Sequence, residues 1–131
     1  MSFKVYVPGD AAALSVGAEA VAKAMAEQIS SRHLSSTVVR NGSRGMFWLE
    51  PMIEVETNRG RVAYGPVSAE SVPGLFEAGF LEGKSHELCL GLTEEIPFLK
   101  QQERLTFARC LRYCVQRILV RWQSFTGFWN S

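Results

Sequence analysis

A run of alternating apolar and polar side chains around a four-residue turn constrains this chain most. From Met52 onward, Ile53 and Val55 fall on one face of an extended segment and Glu54 and Glu56 on the other. Thr57-Asn58-Arg59-Gly60 supplies turn chemistry, and Val62 and Tyr64 resume the apolar face on the way back. The pattern predicts a β-hairpin with one face on a core. It places Glu54 and Glu56 on the outer face, opposite Arg59 or Arg61, where such pairing fixes register more than it adds stability. Arg40 to Pro51 precedes the hairpin as a glycine-rich loop. Asn41-Gly42 and Gly45 allow positive φ there, which lets successive N–H groups converge on something anionic or inorganic.

The rest of the chain supplies what such a hairpin can join. Phe3, Val5 and Val7 alternate with Lys4 and Tyr6 in a first strand that stops at Pro8-Gly9. Asp10 is placed to cap a helix in which Leu14, Ala18, Val21, Met25 and Ile29 form the buried stripe, with Glu19, Lys23 and Glu27 outside. Gly17 within it is expected to mark close approach to the underlying strand. Thr37 to Arg40 reads as a second strand. Ser68 is expected to cap a helix over 69–78, ended by Gly79, with Pro73 separating its first turn. Residues 80–92 read as a connector. From Thr93 a second helical region begins, with Leu105, Ala108, Leu111, Val115, Ile118, Leu119, Trp122 and Phe125 as its apolar stripe.

The order is strand, helix, three strands, helix. A right-handed crossover makes the first two strands parallel, and the hairpin adds a reversed strand. This predicts an α/β, thioredoxin-like βαβββα domain with a mixed four-stranded sheet, plus a C-terminal helical segment. At 131 residues and 47% hydrophobic, the chain suits one soluble globular domain. No apolar run is long enough to span a membrane, and the N-terminus lacks the features of a signal peptide. Three cysteines without a Cys-x-x-Cys pair suit a reducing compartment, so the expected location is cytoplasmic. Charge divides sharply: residues 100–131 carry a net of +5 and residues 1–99 a net of −4.

Two stretches carry a resemblance. Gly42-Ser43-Arg44-Gly45-Met46-Phe47-Trp48-Leu49-Glu50-Pro51 resembles the Gly-Cys-x-Gly-x-Cys-x-x-Ala-Pro loop of thioredoxin-like ferredoxin domains that feed electrons into NAD-linked, flavin-containing dehydrogenases. Val7-Pro8 through Ala13 to Gly17-Ala18 is similar to their Val-Cys-x4-Cys-x3-Gly-Ala segment. In that family, the four cysteines hold a two-iron, two-sulfur cluster, for which soft anionic thiolates are needed. Here the corresponding positions are Pro8, Ala13, Ser43 and Phe47, which together cannot hold a cluster. From Val39 to about Arg109, including Ile96-Pro97-Phe98-Leu99-Lys100-Gln101-Gln102-Glu103-Arg104, the chain resembles the β (flavoprotein) subunit of soluble NAD-dependent formate dehydrogenases, which contain molybdenum or tungsten. That subunit begins with a cluster-free domain of this kind.

The resemblance implies residues 1–84 as a ferredoxin-type domain without ligands, 85–109 as a connector and lead-in to a flavin domain, and 110–131 as a divergent basic tail. The parent subunit would bind FMN, NAD and a four-iron cluster, none of which this chain is equipped to hold. Its implied partners are the flavin domain of the same subunit and the α and γ subunits, with neither nucleic acid nor membrane involved. Past Cys110 the likeness ends, so the expectation is an interrupted reading of a longer gene. The implied task is structural: to hold an electron-transfer complex that oxidises formate to CO2 and reduces NAD+, with no catalysis by this chain alone.

Other readings weigh less. Cys110 and Cys114 are one helical turn apart but lack a second pair of ligands, so free thiols are expected. Cys89 has no basic neighbour to activate it. Phe47 and Trp48 are expected to fill the space a cluster would occupy or to dock against a neighbouring domain. The basic tail offers an alternative, a free-standing thioredoxin-like binding module that uses an amphipathic C-terminal helix.

Overall fold

The computed structural model describes residues 2–102. Strands β1 (Phe3–Pro8), β2 (Ser36–Asn41), β3 (Ile53–Thr57), β4 (Gly60–Tyr64) and β5 (Cys89–Leu92) form one sheet in the order β2-β1-β3-β4-β5. β1 runs parallel to β2, and the remaining pairs are antiparallel. The mixed sheet and helix order are those of a thioredoxin-like α/β fold. A fifth strand joins the four expected, because part of the supposed connector pairs Val62 with Leu92 and Tyr64 with Cys89. Gly91 interrupts any simple alternation there, which hides the strand in the sequence.

The first helix differs from its expected form. It is two helices, α1 (Ala11–Ser15) and α2 (Ala18–Ser31), parted at Gly17 with φ +97°. A Cβ on Gly17 would meet nothing within 4 Å, so a left-handed backbone requires glycine here, not close approach to a strand. The break turns Leu14 off the stripe, and it is 43% exposed. Val21, Met25 and Ile29 remain buried as the spacing requires. Asp10 precedes α1 but makes no side-chain capping bond. The third helix, α3 (Val72–Glu77), is shorter than expected, since Ser68 and Ser71 exchange bonds in a separate turn and Pro73 opens the helix.

Strand alternation divides the interior in two. Val5, Val7, Ile53, Val55, Val62 and Tyr64 point to the face covered by α2 and α3 and form the main core with Leu75, Phe76 and Phe80. Tyr64, Phe76 and Phe80 meet edge to face within it. The opposite face carries a smaller cluster, Met46, Met52 and Ala63, flanked by Leu49, Leu90, Ile96 and Leu99. Its cover comes from a 3₁₀ turn at Phe47–Leu49, another at Thr93–Glu95 and the short helix α4 (Pro97–Lys100). The expected stripe from Leu105 to Phe125, with Cys110, Cys114 and the basic tail, lies outside the described residues. Among the described residues, no helix is long and apolar enough to cross a membrane.

Candidate functional site

Of the four positions that the sequence resemblance matches to cluster ligands, three come from chain segments that meet at one end of the sheet. Pro8 ends β1 in register with Asn41 at the end of β2, and the Gly9 N–H donates to the Asn41 carbonyl at 2.8 Å. Ser43 lies two residues beyond β2, and Ala13 sits in α1, which starts shortly after β1. Phe47 opens the 3₁₀ turn that ends the glycine loop.

The side chains at these positions do not fit an iron–sulfur cluster. Pro8 and Ala13 are buried and have no donor atom. The Ser43 hydroxyl donates to Glu50 Oε1 at 2.7 Å and accepts the Gly45 N–H at 3.0 Å. Phe47 is 62% exposed, so it does not fill a vacated interior. Among the described residues, no group of three or more His, Cys, Asp or Glu is arranged to hold a metal ion.

Two carboxylates, Glu54 and Glu50, hold the loop; sequence reasoning paired Glu54 with Arg59 or Arg61 across the hairpin, as the Arg61 contact bears out, but gave neither acid a part in the loop. Glu54 was expected on the outer face, and alternation does turn it away from the main core. That face is covered at this point, and Glu54 is only 1% exposed. Arg44 reaches it from the loop in a bidentate fork, Nε to Oε1 at 2.6 Å and Nη2 to Oε2 at 2.9 Å. Arg61 adds a third contact at 3.4 Å. A buried carboxylate needs such partners, since an unpaired charge there would cost several kcal/mol. The signal available in the sequence was Arg44 itself, a cation in a tight glycine loop with no acid beside it.

The Arg61 guanidinium also lies 3.8 Å from the centroid of the Tyr6 ring, and the Tyr6 hydroxyl donates to Glu56 at 3.0 Å. Burial raises the Tyr6 phenol above its ordinary value, opposed by the nearby Arg61 charge. Of the expected pairs of Glu54 or Glu56 with Arg59 or Arg61, Glu54 with Arg61 forms, while Glu56 faces Arg61 in register and the Arg61 side chain turns to Glu54 and Tyr6.

Glu50 closes the loop from its other end. It is buried, and its Oε2 accepts the Met52 N–H at 2.9 Å. Burial raises its carboxyl above the usual carboxylate range; the bonds from Ser43 and Met52 oppose this, while the charges of Asp10 and Glu54 add to it. Gly65 then seats the 3₁₀ turn. A Cβ there would come 2.6 Å from the Leu49 carbonyl oxygen, so any side chain would push the turn off the end of β4.

The turn presents aromatic surface. Trp48 is 64% exposed and Phe98, on α4, 44%. Their rings meet edge to face at 5.3 Å. This pair ties the glycine loop to the segment by which the chain leaves the described fold. The other notable polar group is Tyr64, whose hydroxyl donates to the Lys84 carbonyl at 2.8 Å; its burial, with Cys89 beside it, raises its phenol strongly. These contacts are structural, and Cys89, half-buried on β5, has no basic partner among them.

Neither a protein family nor a curated protein sequence matches the chain. Solved structures do. The chain is similar to the wild-type thioredoxin-like 2Fe-2S ferredoxin of Aquifex aeolicus, at 23% identity and a TM-score of 0.57 over 68% of this chain and 96% of that one. Another structure of a thioredoxin-like 2Fe-2S ferredoxin from that organism gives 20% identity and a TM-score of 0.59 over 72% and 96% of the two chains. A serine-for-cysteine variant gives 24% and 0.57 over 68% and 98%. At these identities the likeness establishes a shared thioredoxin-like fold.

Proposed function

We propose that this chain is the cluster-free, thioredoxin-like module of a formate dehydrogenase β subunit, and that it acts as a docking piece of an electron-transfer complex. One observation carries the reading. The chain has a thioredoxin-like fold, its glycine loop is pinned by Glu50 and Glu54, and the positions that the sequence resemblance matches to cluster ligands are Pro8, Ala13, Ser43 and Phe47. A loop that keeps its shape without a cluster keeps its surface, and that surface is aromatic. Exposed aromatic side chains are enriched where proteins meet. The partners are then the flavin domain of the parent subunit and its α and γ subunits, and the module performs no chemistry of its own.

Two measurements test this. Anaerobic incubation of the full chain with ferrous iron, sulfide and thiol is expected to give no absorption bands between about 400 and 550 nm. A reproducible two-iron signal overturns the cluster-free assignment. Co-purification with a formate dehydrogenase flavin domain is expected for the native chain and lost in Phe47→Ser/Trp48→Ser. Equal recovery of the two rejects docking through this face.

A further inference from the structure

We propose that the glycine loop is latched by a single proton: Glu50 takes one up when the loop closes and gives it up when the Phe47–Trp48 turn loosens, so that pH sets how firmly the aromatic surface is held. The use of this latch, though not the latch itself, rests on the reading of that surface as a docking face.

Glu50 is placed to act on the whole loop. Its Oε1 accepts the Ser43 hydroxyl near the loop's start, and its Oε2 accepts the Met52 N–H just past its end. One carboxyl thus bridges both ends of a segment that includes Phe47 and Trp48. Ser43 in turn accepts the Gly45 N–H, which carries the tie toward the turn.

Donors are scarce around it. Glu50 is 7% exposed and lies at the end of the sheet where β1 and β2 finish and β3 begins. At the same end, the side-chain oxygen of Asn41, a residue 3% exposed, and the Oδ1 of Asp10 are buried with no hydrogen-bond partner among the described residues. The cations of this region are engaged elsewhere: Arg44 and Arg61 with Glu54, and Arg40 with Glu19 of α2 and the Pro8 carbonyl. A charge left in such a place either draws water in or takes up a proton. A proton on Glu50 cancels the charge and adds one donor where acceptors are in excess.

The direction of the latch follows. Burial favours the neutral carboxyl, and the charges that act on it, those of Asp10 before α1 and Glu54 on β3, are both acidic and favour it too; the bonds from Ser43 and Met52 oppose them. The protonated form belongs to the closed loop. Loss of the proton as pH rises is relieved by hydration, which parts Glu50 from Ser43 and loosens the turn. A turn held fixed beforehand loses less freedom when a partner arrives, so docking is favoured at the acid end.

The test follows the full chain by hydrogen exchange, corrected for the pH dependence of the intrinsic rate, from about pH 4.5 to about 8. Amide protection at Gly45, Leu49 and Met52 is expected to fall about tenfold in one single-proton step as pH rises, while β1 and β3 stay protected. Glu50→Gln is expected to remove the step and to keep the protection of the acid limb throughout. Asp10→Asn is expected to move the midpoint down and Ser43→Ala to move it up, and these two variants decide the matter should Glu50→Gln not fold. Protection that is flat with pH in the native chain overturns the proposal, as does the same step in Glu50→Gln or a midpoint that neither of the other variants displaces. Recovery of a formate dehydrogenase flavin domain is expected to be severalfold higher at the acid end, with that difference lost in Glu50→Gln. A step in protection with no recovery at any pH removes the docking reading alone, and recovery without a step removes the latch alone.

Discussion

The two faces of the sheet are built on different principles. Toward α2 and α3, the strands present mainly apolar side chains, with Arg40 on the edge strand β2 paired to Glu19 of α2, and the core closes by packing: Met25, Leu75 and Phe80 are fully buried. Toward the glycine loop, the same strands present Tyr6, Glu54, Glu56 and Arg61, and the closure is partly ionic. The difference separates stability from placement. Aliphatic and aromatic packing is non-directional and supplies most of the folding energy. A bidentate arginine–carboxylate pair adds less net stability but fixes geometry, which suits a glycine loop with little packing of its own.

The comparison is sharpened most by cutting the packed face. Phe80→Ala removes a fully buried ring that meets both Tyr64 and Phe76 edge to face. The expected loss is about 3–5 kcal/mol in urea unfolding. A loss near zero would mean that this face does not carry the fold.

On the ionic face, Arg44→Ala leaves Glu54 buried with Arg61 alone, at 3.4 Å. The expected loss is about 2–4 kcal/mol, smaller than for Phe80 because one cation remains. Its distinguishing mark is local: amide protection falls across residues 42–50 before it falls in β1. Replacing the carboxylate together with its partners by apolar groups is expected to cost less than Arg44→Ala, since no charge is then stranded. Even destabilisation of both faces by Arg44→Ala would show that packing and placement are not divided between them.

Legibility in the sequence follows the same division. The packed face was readable because period-two alternation in Ile53, Val55, Val62 and Tyr64 and helical spacing in Val21, Met25 and Ile29 both report burial of apolar groups. The hairpin, the parallel first pair of strands and the thioredoxin-like order followed from them. The ionic face was not readable by that logic. Alternation assigns Glu54 to the side away from the main core, which is correct, but it does not reveal that a loop ten residues upstream returns to cover it. Gly17 shows a second limit. A glycine in a helical pattern is consistent with close approach or with a left-handed kink, and only backbone dihedrals separate them. β5 was missed for a third reason, since Cys89-Leu90-Gly91-Leu92 is too short and too interrupted to show a period. The part that Glu50 and Glu54 play in holding the loop was not legible at all, because both reach it through contacts that no local pattern marks.

The smallest expected effect separates the two acids of the loop. Glu54 is held by arginines, whereas Glu50 is held by a hydroxyl and a backbone N–H, with no cation among these contacts. Burial raises the Glu50 carboxyl above its ordinary range. A group whose folded pKa lies above its unfolded value binds its proton more readily in the folded state. Its contribution to stability is therefore fully present below the unfolded pKa and is lost as pH rises through the folded one. Glu50→Gln removes that contribution. In urea unfolding from pH 7 down to about 4.5, the difference in stability between native and variant chains is expected to move in favour of the native chain as pH falls. The change should be smaller than the effect of Arg44→Ala. A difference that moves the opposite way would show that Glu50 is stabilised as an anion, and the two ends of the loop would then be held by the same kind of force.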